Sequence, residues 1–186
     1  QQGMDQMMAD IASMGGELFV MDDGWFGDKY PRKNDSSSLG DWVVDKNKLP
    51  NGIEGLLSDA KKHGVKFGIW IEPEMANTTS ELYEKHPDWV LKASERDVVL
   101  GRGGTQVVLD LANPAVQDFV FGVVDNLMTS YPEIDYIKWD ANMSVQNHGS
   151  QYLTKDNQSH MYIEFHRGFE KICQRIRAKY PDLTIQ

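Results

Sequence analysis

Three times in this sequence a short apolar run ends in acidic residues. Leu18-Phe-Val-Met21 leads into Asp22-Asp23, Val65 to Ile71 into Glu72-Pro73-Glu74, and Tyr136-Ile-Lys-Trp139 into Asp140. Stretches with helical spacing separate the runs. Strands that alternate with helices pair in parallel, because each crossover returns the chain to the same end of the sheet. The acidic residues therefore collect along one edge, at the carboxyl ends of the strands. Barrels and open α/β sheets both carry their ligand sites at that edge.

The helical stretches can be placed from spacing and punctuation. Apolar residues at 4, 7, 8, 11 and 14 predict a first helix that Gly15-Gly16 stops. Ile53, Leu56, Leu57 and Ala60 mark a second, with Asn51 as N-cap and Gly64 as its end. Thr78 and Glu81 have the spacing of a capping box for a short helix closed by Pro87. Val107 to Leu111 is a further apolar run. Asn113-Pro114 then opens a helix with Val116, Phe119, Val120, Val123 and Leu127 inward. A last helix, over roughly 157–179, places Tyr162, Phe169, Ile172, Cys173 and Ile176 on one side, and Pro181 ends it before a strand begins at Leu183. Cys173 reads there as core packing.

The expected fold is α/β, an incomplete (β/α)8 TIM barrel with four or five strand-helix units. A full barrel usually needs about 250 residues, whereas this chain has 186. Residues 1–186 are expected to form one partial catalytic barrel domain, a fragment of something larger. The formal charge of -9 argues against nucleic acid or an anionic membrane as partner, since both demand a basic footprint. A neutral or cationic small molecule fits better. The sequence shows no basic leader followed by an apolar run and no apolar stretch of membrane-spanning length, so a cytoplasmic protein is expected.

The strand at Tyr136 carries the most chemistry. Side chains alternate along a strand, so Tyr136, Lys138, Asp140 and Asn142 share one face. Burying a lysine and a carboxylate costs free energy unless they pair or meet a polar ligand. A structural ion pair in the core is the plain alternative. Glycoside hydrolysis needs two carboxyl groups about the scissile bond; Asp140 suits the nucleophile, with Lys138 favouring its ionised form. At a strand end turning into Gly24, Asp22 and Asp23 can both bend toward one polyol. Trp25 and Trp42, in the long loop that follows, offer flat faces for a sugar. Glu74 and Asn142 are further candidates for substrate contact.

Competing uses of these residues are weaker. Magnesium or calcium bound by Asp22, Asp23, Glu72 and Glu74 is disfavoured by the Lys138 ammonium in the same cup, so no metal is expected. Gly101-Arg-Gly-Gly104 lacks the Gly-Lys-Ser/Thr ending of a phosphate loop. No two histidines stand four apart as in a helical zinc site; His63 and His86 look like helix-end residues, and only His148 is kept as a candidate.

Five motifs occur in an order that resembles the barrel of glycoside hydrolase family 36, the bacterial-type α-galactosidases. They are Asp22-Asp-Gly-Trp-Phe-Gly27, Gly40-Asp-Trp42, Gly68-Ile-Trp-Ile-Glu-Pro-Glu-Met75, His86-Pro-Asp-Trp89 and Lys138-Trp-Asp140. The resemblance implies a retaining hydrolase of terminal α-galactosides such as raffinose-type oligosaccharides, acting by double displacement with Asp140 as nucleophile. It also implies that Asp22, Asp23, Trp42 and Lys138 contact the galactose, and that no cofactor is needed. The family's Arg-Asn-Gln before Val-Leu-Asp is here Gly104-Thr-Gln106, leaving Arg102 as the candidate to take the arginine's place. The family's acid/base aspartate falls beyond Gln186, so this stretch alone is expected to have negligible turnover. Flanking β domains and a homo-oligomeric parent are implied too. The alternatives are galactosyl transfer, an α-N-acetylgalactosaminidase of the same barrel type, or a non-catalytic carbohydrate-binding barrel.

Overall fold

A computed structural model describes residues 1–146 and 149–186. Four parallel strands form its main sheet, in the order β1 (Leu18–Met21), β2 (Lys66–Ile71), β5 (Tyr136–Trp139) and β6 (Thr184–Ile185). Every link between neighbours is parallel. The helices α1 (Gln2–Ser13), α2 (Gly52–His63), α4 (Pro114–Ser130) and α5 (Met161–Lys179) alternate with these strands.

The register sorts the strand residues between two faces. Gly68 pairs with Tyr136 and Trp70 with Lys138, so these four share a face, while Phe67, Ile69, Ile71, Ile137 and Trp139 take the other. The second face lies under the helices: the Trp139 ring meets Phe169 of α5 edge-on at 5.7 Å, and Phe67, Ile69, Ile71 and Ile137 are buried. Truncating any of these buried aliphatic residues to alanine is expected to cost about 2–5 kcal/mol.

The apolar run after residue 106 does not join the parallel sheet. β4 (Gln106–Val108) pairs antiparallel with β3 (Met75–Asn77), and the pairing extends through a bridge between Val90 and Leu109. The parallel sheet thus has four strands, with β2 directly beside β5. A turn at Pro73-Glu74 makes this possible by sending the chain away from β2 as soon as that strand ends.

Local punctuation works at most helix ends. Asn113 accepts a hydrogen bond from the Ala115 N–H with Pro114 behind it, and Gly64 closes α2 in the left-handed conformation. Asn51 occupies the cap position of α2 without a side-chain bond. The Thr78 expectation needs correction. Ser80 caps α3 (Glu81–Lys85) by accepting from the Tyr83 N–H, and Asp41 reaches in from the distant loop to accept from Glu81 N and Leu82 N. The two free amides of a short helix are thereby satisfied by a residue 40 positions away. Cys173 also departs from expectation, being exposed on α5 rather than packed in the core. The inward side of α5 is Met161, Phe165, Gly168, Ile172 and Ile176. A Cβ on Gly168 would sit 1.9 Å from the Leu111 carbonyl oxygen, so only glycine permits this close approach.

Candidate active site

Asp22, Glu72 and Asp140 directly follow β1, β2 and β5, and so lie along one edge of the sheet. The Asp140 amide continues the ladder by donating to the Ile71 carbonyl at 2.8 Å. Its carboxylate accepts three hydrogen bonds: Trp70 Nε1 at 3.1 Å and Asn142 Nδ2 at 2.7 Å on Oδ2, and Ala141 N at 3.0 Å on Oδ1. Burial alone would raise its pKa. The bonds from Asn142, Trp70 and Ala141, with the charge of Lys138, outweigh burial and hold it below the usual aspartate value.

Lys138 shares this face but takes a different partner. Its Nζ lies 2.7 Å from Asp22 Oδ2, and this hydrogen bond raises the lysine pKa. Burial alone would raise the Asp22 pKa, but the bonds from Lys138 and the Asp23 amide, with the Lys138 charge, together outweigh it and leave it below the ordinary value. The Asp22 side chain is 63% exposed, so the pair contributes only about 0–1 kcal/mol to stability. Three charges of alternating sign thus stand in a row, Asp22, Lys138, Asp140.

Glu72 is the buried member of the edge, only 1% exposed. Its Oε1 accepts from the Asn142 backbone N–H at 2.5 Å, which ties the segment after Asp140 to the end of β2. Burial raises its pKa despite the Asn142 bonds; the Asp140 charge adds to the rise and the Arg102 charge opposes it. Arg102 itself lies on the loop before β4, 3.8 Å from Asp35, and its charge is felt at Glu72.

Other expected site residues are placed elsewhere. Trp25 is 1% exposed, and its indole N–H donates to the Trp70 carbonyl at 2.9 Å. It packs edge-on against Phe26, which itself stacks on Trp70 with an interplanar angle of 3°. Trp25 therefore supports the site from below and presents no face to a ligand. Trp42 belongs to the same aromatic cluster, 4.6 Å from Phe26, with its indole nitrogen buried and without an acceptor among the described residues. Its exposed part lines a groove of about 680 Å³ beside α4, with Phe119 and Val123. Glu74 lies behind the sheet, where its Oε1 accepts from Trp139 Nε1 at 2.9 Å. Burial raises its pKa, partly offset by the Trp139 bond and by His166 of α5. The cause is the turn at Pro73, which breaks strand alternation between Glu72 and Glu74. Asp23, by contrast, stays at the edge beside Asp22, its backbone amide donating to Asp22 Oδ1 at 2.8 Å, while its partly exposed carboxylate is held by Arg32. His148 lies outside the described residues.

Several contributors had no signal in the sequence reading. Trp70 is marked only by its register with Lys138, which needs the strand pairing to be known. Arg32 and Asn77 are recognisable only from their contacts. The edge brings together an ionised carboxylate with two neutral side-chain donors, an ammonium-carboxylate pair, and a second, buried carboxyl whose pKa burial raises. Such a set can accept from and donate to the hydroxyls of a polyol while one carboxylate remains free to attack carbon. Among the described residues, no three of His, Cys, Asp and Glu are grouped to hold a metal ion, and no helix is long and apolar enough to cross a membrane.

A family model described as Melibiase matches residues 1–186. Alpha-galactosidase AgaA of Geobacillus stearothermophilus is 39% identical over 175 residues, covering 94% of this chain and 23% of that protein. Probable alpha-galactosidase C of Aspergillus oryzae is 40% identical over 185 residues, covering 96% and 23%. Among solved structures, a variant of AgaA in complex with raffinose matches with a TM-score of 0.91 at 37% identity, covering 99% of this chain and 25% of that one. The α-galactosidase from Lactobacillus brevis matches with a TM-score of 0.90 at 38% identity, covering 97% and 24%. The four-stranded sheet with its helices is accordingly a partial (β/α)8 barrel. The chain spans about a quarter of the length of the curated relatives it matches.

Proposed function

The chain belongs to the Melibiase family, glycoside hydrolase family 36, and from that premise we propose that it carries the nucleophile and part of the sugar site of a retaining α-galactosidase. The substrates are terminal α-galactosides of the raffinose type; relatives solved with raffinose and with stachyose support that class. One observation carries the reading: Asp140 is held ionised at the carboxyl edge of the sheet by three hydrogen-bond donors, beside a lysine already paired to Asp22.

In the proposed double displacement, Asp140 Oδ1 or Oδ2 attacks the anomeric carbon as the glycosidic C–O bond breaks. The departing oxygen takes a proton from an acid that the family resemblance places outside residues 1–186. Water then attacks the galactosyl-enzyme, gives its proton to the same group, and galactose leaves. Trp70 and Asn142 hold the nucleophile's orientation. Lys138 donates to and Asp22 accepts from sugar hydroxyls, and Asp23, Asn142 and Arg102 flank them.

Trapping the whole protein with a fluorinated galactosyl reagent tests this. Label on Asp140 is expected. Label on another carboxylate, or active enzyme that takes no label, overturns the assignment. The 186-residue chain by itself is expected to show no steady hydrolysis, for want of the acid.

A further inference from the structure

Arg32 is 3% exposed, although Pro31 before it and Lys33, Asn34, Asp35 and Ser36 after it face solvent. Its donors are all engaged. Nε reaches Asp23 Oδ1 at 3.0 Å and one terminal nitrogen reaches Asp23 Oδ2 at 2.6 Å, a two-pronged grip on a single carboxylate. That nitrogen also approaches Asp35 at 3.5 Å, while the other serves the Ser37 carbonyl and Asn77 Oδ1, both at 3.0 Å. Asn77 is fully buried and itself anchored, accepting from Leu39 N and donating to the Asp35 and Thr105 carbonyls. The guanidinium also lies 5.5 Å from the Phe26 ring, which stacks on Trp70, the donor to Asp140.

We propose that Arg32 is a positioning residue that fixes the Asp23 carboxylate in one orientation so that it reads a single hydroxyl of the bound sugar. This rests on the sugar site proposed above. With its five N–H groups committed, Arg32 has nothing to offer a ligand and acts only through Asp23. The grip uses about two of the carboxylate's roughly four acceptor positions. The others remain for a ligand, and the Asp23 side chain is partly exposed. A lysine cannot replace the grip, because a point charge with rotatable donors sets no plane. Asp22, held by the Lys138 ammonium and the Asp23 amide, has no such planar two-pronged partner.

The test compares kcat/KM of the whole protein on an α-galactoside and on analogues that each lack one galactosyl hydroxyl. Wild type should lose activity at every omission. In Arg32→Lys, kcat/KM on the complete substrate should fall roughly tenfold, mainly through KM, the effect of weakening one charge-assisted hydrogen bond. For one analogue alone the penalty of omission should vanish, and Asp23→Asn should single out that same analogue. Should the lysine variant not fold, Arg32→Gln, which puts one neutral donor in the same space, should give the same pattern with larger amplitude. A loss spread evenly over all analogues, or a variant indistinguishable from wild type, overturns the proposal while leaving the enzyme reading intact. A wild-type protein that hydrolyses no α-galactoside overturns the substrate reading, and this proposal with it.

Discussion

The front and back of the sheet's carboxyl edge treat acidic residues in opposite ways. On the front, Asp22 and Asp140 are partly open to solvent, surrounded by donors, and held below their ordinary pKa values. Behind the sheet, Glu74 meets one indole N–H beneath α5, and burial pushes its pKa up. The difference lies in the number of donors rather than in distance along the chain. Asp140 has three hydrogen bonds and a nearby ammonium, whereas Glu74 has one hydrogen bond and a histidine farther off. Glu72 stands between the two cases, sharing the front with Asp140 but too buried to ionise easily.

If that division is functional, front and back substitutions should separate turnover from stability. The largest effect is expected at Asp140. Asp140→Asn in the whole protein should reduce kcat by more than about a thousandfold, since it removes the attacking group. Its stability should fall by only about 1 kcal/mol, because the amide oxygen can keep the Trp70 and Asn142 bonds and only the Ala141 N–H loses its acceptor. A variant that keeps a tenth of wild-type turnover would place the nucleophile elsewhere and erase the contrast at its strongest point.

Lys138→Met comes next. It removes one charged donor from the sugar and one favourable charge from Asp140. A lost hydrogen bond to a charged group is worth about 1.5–3 kcal/mol, or roughly 10- to 100-fold in kcat/KM. Stability should shift by no more than about 1 kcal/mol, since the ion pair with Asp22 is well exposed. The nucleophile's pKa should also rise. The acidic limb of the kcat/KM profile should therefore move to higher pH, because Asp140 would need less acid to become protonated. An unmoved limb would mean that Asn142 and Trp70 alone set the ionisation.

Strand alternation made much of the front legible in the sequence. Period-two spacing put Lys138 and Asp140 on one side of an apolar run, and the repeated strand-then-acid pattern located the edge. The same rule failed at Glu72 and Glu74. They also stand two apart, but Pro73 turns the chain between them, so they part to opposite faces. Trp25 and Trp42 looked equivalent as loop aromatics, yet only packing decides that the Trp25 N–H is consumed by the Trp70 carbonyl. Arg32 left no trace for a related reason. A basic residue in a polar loop, next to Lys33, reads as solvated, and its burial depends on Asn77 reaching it from 45 positions away. Long-range satisfaction of polar groups, rather than periodicity, is what the sequence did not expose.

The smallest expected effect lies on the back and probes the division most directly. Glu74→Gln removes a charge while leaving an oxygen for the Trp139 N–H. The folded-state pKa of Glu74 is raised above its unfolded value of 4.5. The folded protein thus holds that proton more tightly, and its stability falls as pH rises from the unfolded value through the folded one. Above the unfolded value the wild type carries this loss and the glutamine variant does not. Glu74→Gln should accordingly be the more stable protein at pH 7, by about 1 kcal/mol, the scale of one buried polar change. The gain should shrink as pH is lowered toward the unfolded value, and kcat should stay at the wild-type level throughout. Thermal denaturation at pH 7 and pH 5, beside initial rates, measures both. A variant with unaltered stability but reduced turnover would bring Glu74 round to the sugar side, and the two faces would no longer be chemically distinct.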